Sequence, residues 1–129
     1  MTGLGDPRLD EMLDRLYSAD SGQQADLTQY FTDRAGAGTL NWRQLDHDAH
    51  QFLADKLVAL DPDKALFCHR LCLALRATRV VEAGTSHGVS TLHLAQAVRL
   101  VSEAGGGDGV VIGIEYEPDK AAVPRRWPP

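Results

Sequence analysis

The sequence predicts an open α/β sheet covered by helices, and two observations carry that prediction. The hydrophobic period changes from helical to strand-like at Arg79–Ala83 and again over 110–116, in short β-branched runs that suit buried strands. Between them, Val89–Val101 returns to a helical apolar pattern. Two strands joined by a helix pair in parallel through a right-handed crossover.

The elements upstream follow from apolar spacing and from start and stop signals. Asp6-Pro7 reads as a cap and a first-turn proline, after which Leu9, Met12, Leu13, Leu16 and Tyr17 recur at helical spacing. A second helix is predicted over 23–34, with Leu27, Tyr30 and Phe31 on its stripe, before the AGAGT run of 35–39 breaks the pattern as a loop. A third is predicted over about 42–60, where Trp42, Leu45, Ala49, Phe52, Leu53, Leu57 and Leu60 make one face. Asp61-Pro62 repeats the cap-plus-proline signal. The helix it opens, to about Ala77, carries too many apolar residues for one stripe, which predicts cover on more than one side. Four helices then precede the first strand. GGGDG, 105–109, is a flexible turn, and Pro118 opens another helix. The predicted organisation is a helical region over 1–61, the first part of a ligand-binding α/β domain over 62–122, and an irregular Pro-rich tail over 123–129.

Composition narrows the function classes. At 129 residues the chain is one domain long, and 43% hydrophobic with 24% charged residues is ordinary for a globular protein. A net charge of −5 and no basic run disfavour a nucleic-acid partner. Apolar windows are interrupted short of membrane-spanning length, so no membrane partner is expected. MTGLGDPRLDEML has no basic stretch followed by an apolar one, which predicts no signal peptide and a cytoplasmic location. Cys68 and Cys72, four apart, suit neither a disulfide framework nor a CxxC pair. With His69 beside them a zinc site can be drawn, but core packing is the expectation for buried-type cysteines, and no metal is assigned. His47 and His50 are expected on a solvated face with Asp46 and Asp48, and His93 on a helix surface.

The chemistry concentrates at RVVEAGTSHGVSTLHLAQAV, residues 79–98. In open parallel sheets, ligands bind beyond the carboxyl ends of the strands. Glu82 and Glu115 both fall at such ends, with Gly84 to Gly88 in the intervening turn. Glycines there let a ligand approach the backbone, and the helix that follows aims free N–H groups at the same place. Ser90 and Thr91 add hydroxyls, and an acid ending the second strand can accept both hydrogen bonds from a ribose diol. The predicted ligand is a nucleoside with a charged tail. A dinucleotide needs G-x-G-x-x-G, whereas this loop is G-T-S-H-G, and a pyrophosphate would be repelled by Glu82. S-adenosylmethionine has the opposite logic, because its amino group and sulfonium are cationic and its carboxylate suits the helix N-terminus.

The stretches VVEAGTSHGVSTLHLA and GDGVVIGIEYEPDKAA resemble motif I and the next strand of class I S-adenosylmethionine-dependent methyltransferases. The likeness is nearest to the O-methyltransferases that include the catechol and caffeoyl-CoA enzymes, and it covers about 62–122. It implies a Rossmann-like methyltransferase fold and methyl transfer to a hydroxyl oxygen of a small molecule. By the same resemblance Glu82 helps hold the methionine amino group, Gly84 and Ser86 line the methionine and sulfonium region, Gly88 belongs to the same cofactor-binding loop, Ser90 binds the carboxylate, and Glu115 grips the ribose hydroxyls. Mg²⁺ serves some members, but the positions that hold it, and the catalytic base, lie beyond the part matched here. The family has seven strands and this chain supplies recognisably two. VPRRWPP, with three prolines, ends a helix rather than extending it, so a truncated fold with an open apolar edge at Val80-Val81 is expected, either marginally stable or associating through that edge as a homodimer. Two alternatives are a non-catalytic remnant, either a weak nucleoside-binding module or an inert fragment, and a nicotinamide-dependent oxidoreductase.

Overall fold

Asp6 starts the first helix as its position implies. Its carboxylate accepts from the backbone N–H of Arg8 at 3.1 Å and of Leu9 at 3.3 Å, while Pro7 fills the first-turn position. In the computed structural model, which describes residues 3–124, this helix (α1) runs unbroken over Pro7–Gly36, 30 residues. The two helices predicted here are one. A glycine inside a helix costs only about 1 kcal/mol, and Gln24 bonding to Asp20 at 3.0 Å, one turn apart, bridges Gly22.

The next helix, α2, is shorter than the predicted one and spans His47–Ala54. Asp46 caps it, accepting from the Ala49 N–H at 3.0 Å, so the helix begins after Trp42, whose ring lies 4.8 Å from that of Phe31. Residues 56–60 leave the helix and run along α1. Gln23 accepts from the Leu57 N–H at 3.2 Å and donates to the Leu57 carbonyl, and the Tyr17 hydroxyl donates to the Leu60 carbonyl at 3.1 Å. The third helix, α3, covers Pro62–Ala74, and Asp61 makes no side-chain cap bond. Three helices therefore precede the sheet, not four. Nor is α3 enclosed on several sides: Phe67, Leu71 and Leu75, one turn apart, form an exposed stripe.

β1 (Arg79–Ala83) and β2 (Val110–Ile114) pair in parallel, from Arg79 opposite Val110 to Ala83 opposite Ile114. β2 stops two residues short of the predicted Tyr116, because Glu115 folds its carboxylate back onto the Glu117 N–H at 2.9 Å. α4 (Val89–Val101) joins the strands and ends in a wide turn over Ser102–Gly106, and α5 covers Pro118–Ala122. Among the described residues the fold is mixed α/β, with five helices and a two-stranded parallel sheet. None of those helices is long and apolar enough to cross a membrane. Residues 125–129 of the predicted tail lie outside the described residues.

The core gathers Leu4, Leu13, Leu57 and Val89, flanked by Leu9, Leu16, Tyr17 and Leu92, so α1, the 56–60 segment and the start of α4 meet there. His93 is not on the surface. It is 1% exposed, with Nδ1 2.9 Å from the Val89 carbonyl and Tyr17 edge-on to its ring, because α1 covers that face of α4. His69 on α3 is buried as well, whereas Cys68 and Cys72 are half-buried free thiols.

Burial pushes both imidazole pKa values below the ordinary histidine value. For His69 the His93 and Arg70 charges add to the shift; for His93 the Val89 carbonyl and Asp10 oppose it. Protons therefore bind the unfolded chain more readily. The stabilising effect of keeping the rings neutral is complete above about pH 6.5 and is lost as pH falls through that value toward the lowered folded pKa values. Urea midpoints are expected to change little from pH 7.5 to about 6.5 and to drop from there toward pH 5.5, and a His69→Gln, His93→Gln variant to flatten that fall. An equal slope in the variant contradicts the assignment.

Candidate functional site

Parallel pairing brings the carboxyl ends of β1 and β2 to one side, and the loop 84–88 crosses between β1 and α4 there. Gly84 and Gly88 take φ of +86° and +89°, in the left-handed region that a Cβ disfavours, and the Gly88 N–H closes the loop onto the Thr85 carbonyl at 2.8 Å. Ser86 holds φ of +49° despite its side chain. Two bonds fix it: its N–H donates to Glu115 Oε2 at 2.6 Å, and its hydroxyl accepts from the Val58 N–H at 3.1 Å.

Glu82 ends β1 with its side chain turned toward α4 and is 9% exposed. It accepts from the Ser90 hydroxyl at 2.5 Å and from the Thr91 hydroxyl. Room for this cluster comes from Gly113, the register partner of Glu82. A Cβ on Gly113 would collide with Thr85 Oγ1 and stand 3.5 Å from Glu82 Oε2.

Glu115 lies on the opposite flank of the loop. Its oxygens take the Ser86 and Glu117 N–H groups, and a carboxylate offers about four acceptor positions, so capacity for a diol remains. Desolvation raises its pKa, but the Glu117 and Ser86 N–H groups and the Lys120 charge outweigh this and hold it below the ordinary carboxylate value. Lys120, buried on α5, has its pKa pulled down by desolvation against Glu115, Glu117 and Asp55. His87, half-buried in the loop, is shifted down by burial and by Lys120, with Glu115 opposing.

A cavity of about 460 Å³ opens beside the loop, walled by Val58, Leu60 and Cys68 on one side and by Glu82, Gly84 and Ser90 on the other. That volume and its mostly apolar wall suit a small ligand. Of the predicted site residues, Glu82, Gly84 and Ser90 reach the cavity. Ser86 and Glu115 form a bonded pair at the loop, outside the cavity wall, and Gly88 turns the chain into α4 without lining the cavity. The Ser90 hydroxyl, expected to meet a ligand carboxylate, is engaged by Glu82. The His47 and His50 side chains are exposed, and no three His, Cys, Asp or Glu side chains converge as a metal-binding group among the described residues.

Sequence reasoning missed Val58, Gly113 and Lys120. Gly113 carries a legible signal, since a lone glycine in the strand VVIGI marks a close approach. Val58 carries none, because it meets Ser86 across 28 residues of chain. Compared with known proteins, the chain matches no family model and no curated protein.

Proposed function

We propose that this chain binds S-adenosylmethionine at the loop 84–88 and forms the cofactor-binding part of a Rossmann-like, cytoplasmic methyltransferase acting on a hydroxyl oxygen of a small molecule. One observation carries the reading: Glu82, a buried carboxylate already gripped by two hydroxyls, stands in the wall of a ligand-sized cavity beside Gly84. An acid fixed there attracts a cationic amine and sulfonium and opposes the pyrophosphate of a dinucleotide. The likeness of VVEAGTSHGVSTLHLA to motif I supports the same ligand.

In this reading Glu82 receives the amino group of the methionine end. The N-terminus of α4 directs backbone N–H groups at its carboxylate, with Ser90 exchanging its bond to Glu82 for one to the ligand. Glu115, kept ionised by the Ser86 and Glu117 N–H groups, accepts the two ribose hydroxyls. Val58 holds Ser86 in its left-handed conformation and so fixes the loop against which the ligand rests. When bound, the cofactor supplies an electrophilic methyl group on sulfur. The protein's share is to position that methyl in line with an acceptor oxygen in a water-poor cavity. No residue here is assigned to Mg²⁺ or to the acceptor.

Calorimetric titration tests the ribose contact. Glu115→Ala is expected to weaken S-adenosylhomocysteine binding by about 1.5–3 kcal/mol, the value of hydrogen bonds to a charged group. Equal affinity in the variant removes Glu115 from the site, and preference of the wild type for NADH over S-adenosylhomocysteine replaces the reading with a nicotinamide one.

A further inference from the structure

Lys120 sits where a charged side chain is seldom found without a partner. It is 7% exposed, on α5 shortly after Glu115, and lysine is almost never so buried unless it is paired. Among the described residues its ammonium makes no hydrogen bond and no ion pair. Nor is its Nζ sealed from water, so the stem is covered while the tip reaches the surface. Asp55 at the end of α2, His87 in the loop 84–88, and Glu115 and Glu117 in the turn from β2 to α5 all interact with its charge.

Lys120 and Glu115 are therefore neighbours without being a pair. Their charged atoms lie more than 4.0 Å apart, yet each charge moves the other's pKa. A hydroxyl oxygen that donates to a carboxylate and accepts from an ammonium holds the two about 4.5–5.5 Å apart, because each bond is about 2.8 Å long. Glu115 keeps acceptor positions for such a hydroxyl beyond those taken by the Ser86 and Glu117 N–H groups. Charge decides which kind of group fits. Asp55 is matched by Lys56 at 2.8 Å, and burial favours the neutral form of His87, which leaves Glu115 and Glu117 against one ammonium. A phosphate is repelled from that net negative flank, whereas a neutral hydroxyl, both donor and acceptor, is accommodated.

We propose that Lys120 is a further ligand contact, its ammonium donating to the oxygen of a ribose hydroxyl whose own hydrogen goes to Glu115. Resting on the nucleoside site read at the loop 84–88, this contact adds specificity to it. The diol is recognised from two sides, so the site selects a nucleoside with free hydroxyls over one whose diol is missing or phosphorylated. A ligand without the diol leaves the ammonium unpartnered, as it is in the free protein.

Calorimetric titration with S-adenosylhomocysteine, and with its analogue lacking both ribose hydroxyls, tests the contact. Lys120→Met keeps the buried stem and removes the ammonium. It is expected to bind S-adenosylhomocysteine about tenfold more weakly than the wild type, the loss of one hydrogen bond to a charged group, and to bind the analogue equally well. Labelling of the wild type decides the matter should Lys120→Met fail to fold. Reductive methylation with formaldehyde and cyanoborohydride, read by mass spectrometry, is expected to slow at Lys120 under saturating S-adenosylhomocysteine and not at exposed Lys64. Unchanged affinity of Lys120→Met for S-adenosylhomocysteine overturns the proposal and leaves the nucleoside site standing. Equal loss for both ligands, or an unchanged labelling rate at Lys120, overturns it as well. A wild type that binds no S-adenosylhomocysteine overturns the site and the contact together.

Discussion

Glu82→Gln is expected to weaken S-adenosylhomocysteine binding by about 2–5 kcal/mol, thirtyfold or more, the cost of removing one partner of a buried, hydrogen-bonded charge pair. The amide keeps the size of the carboxylate. It can still accept from one of the Ser90 and Thr91 hydroxyls and donate to the other, so the cluster around it stays bonded. What the substitution removes is the negative charge facing the cavity. An analogue lacking the amino group provides the control: its affinity is expected to be the same for wild type and variant, because it brings no cation for Glu82 to meet. Calorimetric titration of both ligands into both proteins gives the comparison. Equal loss for both ligands assigns Glu82 to the shape of the cavity alone, and no loss for either removes it from the site.

The second large effect is on stability. Gly113→Val is expected to destabilise the fold by about 2–3 kcal/mol, at the upper end of overpacking costs. Its Cβ would enter the space held by Thr85 Oγ1 and approach Glu82. Thr85 cannot retreat easily. It is buried, its own N–H donates to the Ile114 carbonyl at 3.1 Å, and the Gly84 N–H donates to the same oxygen at 2.8 Å. The loop is thus tied to the strand that would push it. Urea unfolding is expected to show a lower midpoint with an unchanged slope, the mark of lost stability without a change in the denatured state. A midpoint equal to that of the wild type means that the strand and the loop are not in contact there.

Legibility differed between the two halves of the chain for physical reasons. Arg79–Ala83 and Val89–Val101 have the predicted bounds because β-branched density, the glycine turn and the apolar stripe agree with one another there. In the N-terminal half the signals are weaker than the contacts that override them. The two helices expected before residue 34 are one, because the cost of Gly22 inside it is small beside the burial of α1 against α4 and the 56–60 segment. The stripe from Trp42 to Leu60 fits a helix, yet Asp46 caps late, and the bonds of Gln23 and Tyr17 to the backbone of Leu57 and Leu60 draw the chain out of helix. Those bonds cross long stretches of sequence, and no local pattern encodes them. His93 was misplaced for a related reason: the stripe on α4 identified the face toward the sheet, and only tertiary packing shows that α1 occupies the other.

At the candidate site, both carboxylates and the loop were legible because strand ends and glycines fix their positions. Their bonding was not. That Ser90 and Thr91 turn back onto Glu82, and that Glu115 grips the loop through Ser86, follows from a geometry that Gly113 permits. These bonds also make the site a firm structure before any ligand arrives, which favours binding by limiting the ordering that binding requires.

The most direct measurement is a crystal structure of the chain soaked with S-adenosylhomocysteine. The expected density starts in the cavity beside Gly84, with the amino group against Glu82, and crosses the loop 84–88 to Glu115, where the ribose hydroxyls sit. An empty cavity at saturating ligand, or a ligand seated away from both carboxylates, contradicts the account.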